Sequence, residues 1–143
     1  MMLQAIDEAL RNNKNDVPVG CIITQNSKII ASAHNMKEKL QNSTAHAEIL
    51  AINEAQQKLN NWHLDDCDMY VTLEPCPMCA WAIIQSRIKR VYFGSYNTES
   101  GAFGSFIDLK NTSNSNIEVY GGIEEEKCDK ILDDFFNKIR DKK

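Results

Sequence analysis

The sequence predicts an α/β fold in which helices flank a mixed sheet of five strands. Three observations lead to this prediction. Five short segments have the apolar pattern of strands, four longer segments are typical of helices, and strands alternate with helices from Asp68 onward. The alternation indicates that this part of the sheet is parallel, with right-handed crossovers. We expect one domain over residues 1–143, which is long enough to bury a substantial core.

The first half of the chain contains two predicted helices and a predicted hairpin. The apolar residues of MMLQAIDEALRNN fall on one helical face, which is typical of a helix that packs on a core. Two strand-like segments follow, and the polar Asn26-Ser27 step between them favours a hairpin. In order, we predict a helix at 1–13, strands at 17–25 and 28–34, a polar loop at 37–44 and a helix at 46–59.

The second half alternates between strand and helix. DMYVTL has the composition of a buried strand. Pro77 suits the first turn of the helix that follows, where a missing N–H costs nothing. The last segment is acidic at its start and basic at its end, as the helix dipole favours. In order, we predict a strand at 68–73, a helix at 77–86, a strand at 89–95, a long loop at 96–116, a strand at 117–122 and a helix at 124–143.

Composition and charge narrow the class of protein. No apolar run is long enough to span a bilayer and residues 1–13 lack the apolar core of a signal peptide, so we expect a cytoplasmic protein without a membrane segment. The net charge of −4 indicates that any surface for nucleic acid must be local. An odd number of cysteines favours reduced thiols over a disulfide framework. The cysteines are Cys21, Cys67, Cys76, Cys79 and Cys128.

Two cysteines and one histidine have the pattern of a metal site. Cys76 and Cys79 lie three residues apart at a predicted helix start, so both sulfur atoms face one side of the first turn. The partial positive charge of a helix start favours thiolates there. With the imidazole of His46 they provide three zinc ligands and leave a fourth position open for water, which is typical of a catalytic site. The predicted cofactor is therefore one zinc ion per chain.

Glu48 follows His46 by two residues at the start of another predicted helix. A carboxylate beside the metal that is not a ligand can take a proton from water and return it to a leaving nitrogen. The strings HAE at 46–48 and PCPMC at 75–79 together match the H-x-E and P-C-x-x-C signature of zinc nucleobase deaminases. Taken singly, the first string is also compatible with an ordinary helix start, and the second with a redox pair or a zinc knuckle.

Beyond this signature, successive blocks of the chain resemble the bacterial tRNA-specific adenosine deaminases. The blocks are PVGCIIT, HNMKEK, TAHAEILAINEA, YVTLEPCPMCAWAIIQSRIKRVYFGS, SGAFGS and DDFFNKIR, and they occur in order over nearly the whole chain. The resemblance implies the three-layer cytidine deaminase fold with a central five-stranded mixed sheet. It also implies a homodimer that converts the wobble adenosine of a tRNA anticodon, typically that of an arginine tRNA, to inosine.

The resemblance also implies roles for individual residues. His46, Cys76 and Cys79 would bind zinc, and Glu48 would be the proton shuttle. Further residues would contact the tRNA anticodon stem-loop: Asn35 at the flipped base, Asn97 near the ribose and backbone of the target nucleotide, and Phe135, Phe136 and Arg140 on the C-terminal helix near the anticodon loop. The chain's local basic clusters, candidates for phosphate contacts, are Lys138, Arg140, Lys142 and Lys143, and Lys37 with Lys39.

Some positions leave alternatives open. Relatives often carry an acidic residue where this chain has Asn97, which leaves open whether DNA is also accepted. Trp81 is bulkier than the small residue often found there, and packing would have to adjust if it faces a dimer contact or the pocket. Glu74 is expected to be buried near the site without being catalytic. Guanine deaminases also contain EPCPMC, so a free-base or nucleotide deaminase is the main alternative, and a non-catalytic zinc module is a second.

Overall fold

The computed structural model describes residues 1–12 and 14–141, in which five strands form one mixed sheet. The strands are β1 (Gly20–Gln25), β2 (Lys28–His34), β3 (Cys67–Leu73), β4 (Arg90–Ser95) and β5 (Glu118–Tyr120). Their order across the sheet is β2-β1-β3-β4-β5. β1 is antiparallel to both of its neighbours, whereas β4 is parallel to β3 and to β5. The predicted mixed sheet with a parallel second half is confirmed.

Helices cover both faces of this sheet. They are α1 (Met2–Ala9), α2 (Lys37–Leu40), α3 (Ala47–Leu59), α4 (Pro77–Gln85), α5 (Leu109–Thr112) and α6 (Glu125–Asp141). On one face α3 packs against β1 and β2, with α4 beside it, and on the other α1 packs against β1 and β3 while α6 packs against β4. The three-layer α/β fold is therefore confirmed. None of the helices in the described part of the chain is long and apolar enough to cross a membrane.

The period of two along the strands divides the core between the two faces. In β3, Met69 and Val71 are fully buried against the α3 and α4 layer, while Tyr70 between them packs under α1. The α1 layer lies very close to the sheet. A Cβ added to Gly20 would lie 2.0 Å from the backbone oxygen of Ala5, so α1 rests directly on the backbone of β1.

The structure corrects several predicted element boundaries. The first helix ends at Ala9, well before residue 13, and the first strand begins at Gly20. Before this strand, Val17 and Val19 line one cavity and Pro18 lines another. The predicted loops at 37–44 and 96–116 contain the short helices α2 and α5. The predicted hairpin is confirmed. Both turn residues, Asn26 and Ser27, have positive φ angles of 51° and 64°, as a tight hairpin turn requires.

One edge of the sheet gathers the segments that carry the predicted site. β3 and β4 run parallel, so the residues that follow both strands emerge at the same edge. β1 runs the opposite way, so the residues that precede it lie at this edge too. Backbone hydrogen bonds join the strands there, such as that from Glu74 N to Ser95 O at 2.9 Å. The carboxyl end of the parallel strands is where α/β folds place their sites.

Candidate active site

Two helix starts at this edge face each other and carry the metal-binding residues. His46 is the N-cap of α3 and Cys76 is the N-cap of α4, and both have the extended backbone that precedes a helix. Pro77 is the first residue of α4, as predicted, and Cys79 lies two residues later in the same turn. Neither of these two N-cap side chains makes a capping hydrogen bond with its own helix.

The three side chains have the geometry of a zinc site. The Nδ1 atom of His46 lies 3.7 Å from the sulfur of Cys76 and 3.5 Å from that of Cys79. A zinc ion binds sulfur at about 2.3 Å and nitrogen at about 2.05 Å. At a tetrahedral angle, these bonds place a ligand nitrogen about 3.6 Å from a ligand sulfur. All three ligand atoms lie within 4.8 Å of one another. The residues therefore fit zinc without rearrangement, and a protein set of three leaves the fourth position open.

The contacts within the cluster favour a thiolate at one of its two cysteines. The pKa of Cys76 is lowered to about 4, first by its hydrogen bond with the Cys79 thiol and then by its contact with His46. The pKa of Cys79 is raised, because its thiol bonds to Cys76 and because it is buried. The pKa of His46 is raised by its hydrogen bond with Cys76. Without metal, the cluster therefore holds a thiolate at Cys76. A metal cation can bind this thiolate in place of the protons that Cys79 and His46 donate to it.

Glu48 lies in the first turn of α3 and is 4% exposed. Burial raises its pKa from the ordinary carboxyl value to about 7. A group whose pKa lies near neutral pH can both accept and donate a proton efficiently. Glu48 faces the same cavity as His46 and Cys76, so the carboxyl group is placed where the sequence predicts a proton shuttle.

A cavity of about 300 Å³ opens above the metal-binding cluster. It is large enough for one nucleobase and is bordered by polar side chains with three apolar ones, Val17, Val19 and Leu73. Asn35, the predicted contact of the base, and Asn97, the predicted contact of the ribose, both line this cavity. The other lining residues are Asn15, Asp16, Lys37, Glu38, His46, Glu48, Glu74, Cys76 and Ser100.

Asn35 ties two walls of this cavity together. Its side-chain oxygen accepts a hydrogen bond from the backbone N–H of Ala47 at 2.8 Å, and its side-chain nitrogen donates one to the backbone oxygen of Val17 at 3.1 Å. An asparagine amide nitrogen carries two hydrogens, so one N–H remains for a ligand in the cavity. The sequence alone did not reveal this structural role.

Asn97 is fixed by a local turn. Its side-chain oxygen accepts from the backbone N–H of Ser100 at 3.1 Å, and its side-chain nitrogen donates to the Ser100 hydroxyl at 3.0 Å. This turn belongs to a loop of residues 97–105, called loop 97–105 below. The loop is bound to the carboxylate of Glu74, which is buried near the site as predicted.

The C-terminal helix lies beside a second cavity, a groove of about 470 Å³ between α6 and the segment that follows α1. Phe135 lines this α6 groove, while Phe136 and Arg140 are exposed and line neither of the two cavities. Phe136 packs edge-on against Phe135 at 5.2 Å between ring centres. Lys142 and Lys143, which were predicted to be part of the basic cluster, lie outside the described residues. The groove is lined by Leu10, Asn12, Lys14, Pro18, Ile131, Asp134, Phe135, Lys138 and Ile139.

Sequence reasoning missed the segment at residues 15–19, which forms one wall of the catalytic cavity. Asp16 is buried and its carboxylate accepts from the backbone N–H groups of Glu38 and Lys39 at 2.8 and 3.3 Å. It thereby caps α2 from 22 residues away. No local signal marks such a contact, because α2 itself offers no capping side chain.

The remaining cysteines, the other two histidines and Trp81 are not members of the metal-binding group. Trp81 is 45% exposed on α4 and does not line the catalytic cavity. His34 contacts Glu8 at 3.0 Å, and His63 contacts Arg87 at 3.1 Å. The other three cysteines are free thiols buried in the core; they are Cys21, Cys67 and Cys128.

The fold and the site define the class of protein. A three-layer α/β fold that brings H-x-E and P-C-x-x-C together at two facing helix starts is that of a zinc-dependent deaminase. The family described as the cytidine and deoxycytidylate deaminase zinc-binding region matches residues 1–95. The chain belongs to this family and, within it, to the tRNA-specific adenosine deaminases, as the following similarities show. Its predicted zinc cofactor is confirmed by the family and by the ligand geometry.

The relatives resemble the chain over nearly its full length. The tRNA-specific adenosine deaminase of Bacillus subtilis (strain 168) is 43% identical over 145 residues, which cover 99% of this chain and 90% of that protein. A solved structure from work on A-to-I editing by tRNA:A34 deaminases at the wobble position of transfer RNA has a TM-score of 0.87 and 36% identity, covering 92% of this chain and 97% of that one. Guanine deaminase from Nitrosomonas europaea has a TM-score of 0.80 at 23% identity, covering 94% of this chain and 81% of that one, which shows a common fold alone.

Proposed function

We propose that this chain is a hydrolytic deaminase that converts the wobble adenosine of a tRNA anticodon to inosine. The observation that carries the proposal is the convergence of His46, Cys76 and Cys79 beside the buried carboxyl group of Glu48, at the floor of a cavity of nucleobase size. The extent of similarity to tRNA-specific adenosine deaminases supports adenosine in tRNA as the substrate. By the same resemblance, an arginine tRNA is the expected partner.

Glu48 moves the protons of the reaction. Zinc held by the three ligands would lower the pKa of a bound water and so supply the nucleophile. Glu48 accepts a proton from the nucleophile as the new C–O bond forms at C6 of adenine, and it delivers that proton to N1 of the ring. It then carries the second proton of the water to the departing amine. The C6–N bond breaks, ammonia leaves, and the base becomes hypoxanthine.

Asn35 and Asn97 position the nucleotide in this proposal. The free N–H of the Asn35 amide is directed by the two hydrogen bonds that fix the rest of the group, so it can donate to an acceptor on the purine ring. Asn97, held by Ser100 in its turn, lies on another wall of the cavity, where the ribose and backbone would pass. The base reaches this cavity at low cost, because an anticodon loop is already single-stranded.

The α6 groove is the proposed path for the rest of the anticodon loop. Residues 14–19 contribute to both cavities, with Lys14 and Pro18 in the groove and the intervening residues in the catalytic cavity. The groove combines an aromatic ring, Phe135, with the ammonium group of Lys138. Stacking surfaces and cations are what single-stranded RNA requires. Phe136 and Arg140, on the outer surface of α6, would contact the stem or its phosphates.

A homodimer is the proposed assembly, in the cytoplasm. α4 packs against α5, and apolar side chains of α4 and of the segment just before α5 are exposed to solvent. These residues, called the α4–α5 patch below, are Met78, Trp81, Phe106 and Ile107, which are 36%, 45%, 61% and 37% exposed. Exposed apolar groups on neighbouring elements are typical of a protein interface.

The test is inosine formation by the purified, zinc-loaded protein, measured by nucleoside mass spectrometry. The substrate is an arginine-tRNA anticodon stem-loop whose anticodon begins with adenosine. Guanine, adenosine, cytidine and a DNA hairpin of the same sequence are assayed in parallel. Inosine from the RNA stem-loop supports the proposal, and the DNA arm reports whether Asn97 permits deoxyribose. Ammonia from a free base without inosine in the stem-loop would favour the guanine deaminase alternative and contradict the proposal.

A further inference from the structure

We propose that Glu74 is a positioning residue of the active site, whose carboxylate holds loop 97–105 as the substrate-facing wall of the catalytic cavity. Glu74 lies two residues before the metal-binding Cys76 and is itself only 1% exposed. The inference rests on the proposed function, because the loop would position the nucleotide that binds against Asn97. It concerns a residue that neither binds the metal nor moves a proton in the proposed reaction.

Four donors from loop 97–105 converge on this one carboxylate. Oε1 accepts from the backbone N–H of Asn97 at 3.2 Å and from the Ser105 hydroxyl. Oε2 accepts from the backbone N–H groups of Phe103 and Ser105 at 3.0 and 3.1 Å. A carboxylate has about four lone-pair positions, so the loop fills its capacity. Hydrogen bonds to a charged, buried acceptor are roughly twice as strong as neutral ones.

The loop is shaped to fold closely around Glu74. A Cβ added to Gly101 would lie 2.4 Å from Cδ of Glu74 and 2.5 Å from the backbone oxygen of Asn97. Only glycine fits at this point of the loop. The backbone N–H of Ala102 also donates to the oxygen of Pro75 at 2.8 Å. Loop 97–105 is therefore bound at two successive residues of the segment that leads into Cys76.

This arrangement connects the metal-binding segment to the substrate side of the cavity. Glu74, Asn97 and Ser100 line the same cavity as His46 and Glu48. If Glu74 lost its acceptors, the backbone at Asn97 would be released, while the three metal ligands on α3 and α4 would keep their own supports. The expected defect is thus in binding and orienting the nucleotide and not in holding zinc.

The experiment compares Glu74→Gln with the wild-type protein in zinc content, in steady-state kinetics on the RNA stem-loop and in backbone hydrogen exchange. Glutamine keeps the shape, but its NH₂ group cannot accept the hydrogen bonds that one carboxylate oxygen receives. We expect one zinc per chain in both proteins. We also expect KM to rise by about tenfold with a smaller change in kcat, since one or two charge-assisted hydrogen bonds are lost. Amides of residues 97–105 should exchange faster, and those of α3 should not.

Three further variants keep the test decisive if Glu74→Gln folds poorly. Gly101→Ala disturbs the same contact without a change of charge and should give the same kinetic and exchange pattern. Ser105→Ala removes one donor of four and should give a weaker form of it. Glu126→Gln, an exposed charge in the first turn of α6 and outside loop 97–105, is the matched control and should leave KM and exchange in the loop unchanged.

The outcomes separate this inference from the proposed function. Unchanged exchange in residues 97–105 of the Glu74 and Gly101 variants would overturn the positioning role, whatever the substrate. Loss of zinc in parallel with activity would also overturn it, because Glu74 would then support the metal site. Failure of the wild-type protein to form inosine would overturn the proposed function alone, and faster loop exchange in the variants would still support Glu74 as the residue that holds this wall.

Discussion

The side-chain oxygen of Asn35 accepts the backbone N–H of Ala47, between His46 and Glu48, at 2.8 Å. This bond supplies the helix cap that His46 does not make, although His46 occupies the N-cap position of α3. A serine or aspartate there would cap the helix but could not be the imidazole ligand. The cap of α3 is therefore provided by Asn35, the residue that follows β2, and the His46 ring remains available for the metal.

Replacing Asn35 with alanine should reduce both stability and activity. Loss of a capping side chain costs about 0.5–2 kcal/mol, so the midpoint of thermal unfolding should fall. Asn35→Asp is the matched control, because it keeps an oxygen for Ala47 but loses the N–H donor to Val17 and to substrate. It should recover part of the stability while KM for the stem-loop stays high. Wild-type KM in Asn35→Asp would argue against a substrate contact.

Glu48→Gln should lose turnover while keeping zinc and fold. Removing a general acid–base group lowers the rate by about 10²–10⁴-fold, and glutamine has the same shape in the buried site. Single-turnover inosine formation and metal analysis measure the two effects separately. Glu54→Gln, on the exposed side of the same helix, should have normal turnover. Turnover in Glu48→Gln within a few-fold of wild type would remove Glu48 from the mechanism.

Removing the metal should expose one reactive thiol, that of Cys76. Its lowered pKa of about 4 makes it a thiolate throughout the range from pH 5.5 to 8, so its alkylation rate should be nearly independent of pH there. Burial raises the pKa of Cys67 to about 12 and that of Cys128 to about 11, so both remain protonated and unreactive in the folded chain.

Peptide mapping after brief alkylation measures this difference. The zinc-loaded protein should be protected at Cys76, because its sulfur is then a ligand. Addition of a chelator should release it. A rate at Cys76 that rises tenfold per pH unit would show an ordinary thiol, and equal labelling of Cys128 would show that the metal-free chain had unfolded.

The elements that the sequence predicts well are those with local signals. The Asn26-Ser27 turn, the Pro77 helix start and the alternation of strands and helices are all properties of neighbouring residues, and the structure has them. The zinc ligands could be predicted for the same reason, since two cysteines one turn apart and a histidine beside a glutamate form a recognisable pattern.

What the sequence could not reveal depends on contacts between distant segments. Asp16 caps α2 over 22 residues, and Glu74 binds donors up to 31 residues away. Neither residue stands in a local pattern that marks its partners. The short helix α5 is different, because Asp108 accepts from the N–H of Asn111 in an ordinary capping arrangement that the sequence does contain.

Lys138→Ala should weaken binding of the RNA stem-loop in a salt-dependent way. Lys138 lines the α6 groove, where a phosphate would contact its ammonium group. Loss of one such contact should lower the slope of log affinity against log salt by about 0.7–0.9. Lys127→Ala, at the other end of α6 and paired with Glu124 at 3.7 Å, is the control and should leave the slope unchanged. Equal slopes for all three proteins would exclude Lys138 from phosphate binding.

Trp81→Glu should convert the proposed homodimer into monomers. Trp81 lies on the outer face of α4 in the α4–α5 patch, where a charge would have to be buried on association. Truncating or charging a central aromatic residue commonly costs at least about 2 kcal/mol, or about 30-fold in the dimer dissociation constant. Sedimentation velocity should therefore show twice the 16.2 kDa chain mass for the wild type and the single chain mass for the variant at the same concentration.

Trp62→Glu provides the matched control for this last prediction. Trp62 is 53% exposed, but it already has partners within its own chain, since its ring lies 3.8 Å from that of His63 and 5.4 Å from the guanidinium of Arg87. It lies outside the α4–α5 patch, so its replacement should leave the mass unchanged. Dissociation by Trp62→Glu but not by Trp81→Glu would move the interface to the end of α3, and a monomeric wild type would contradict the dimer.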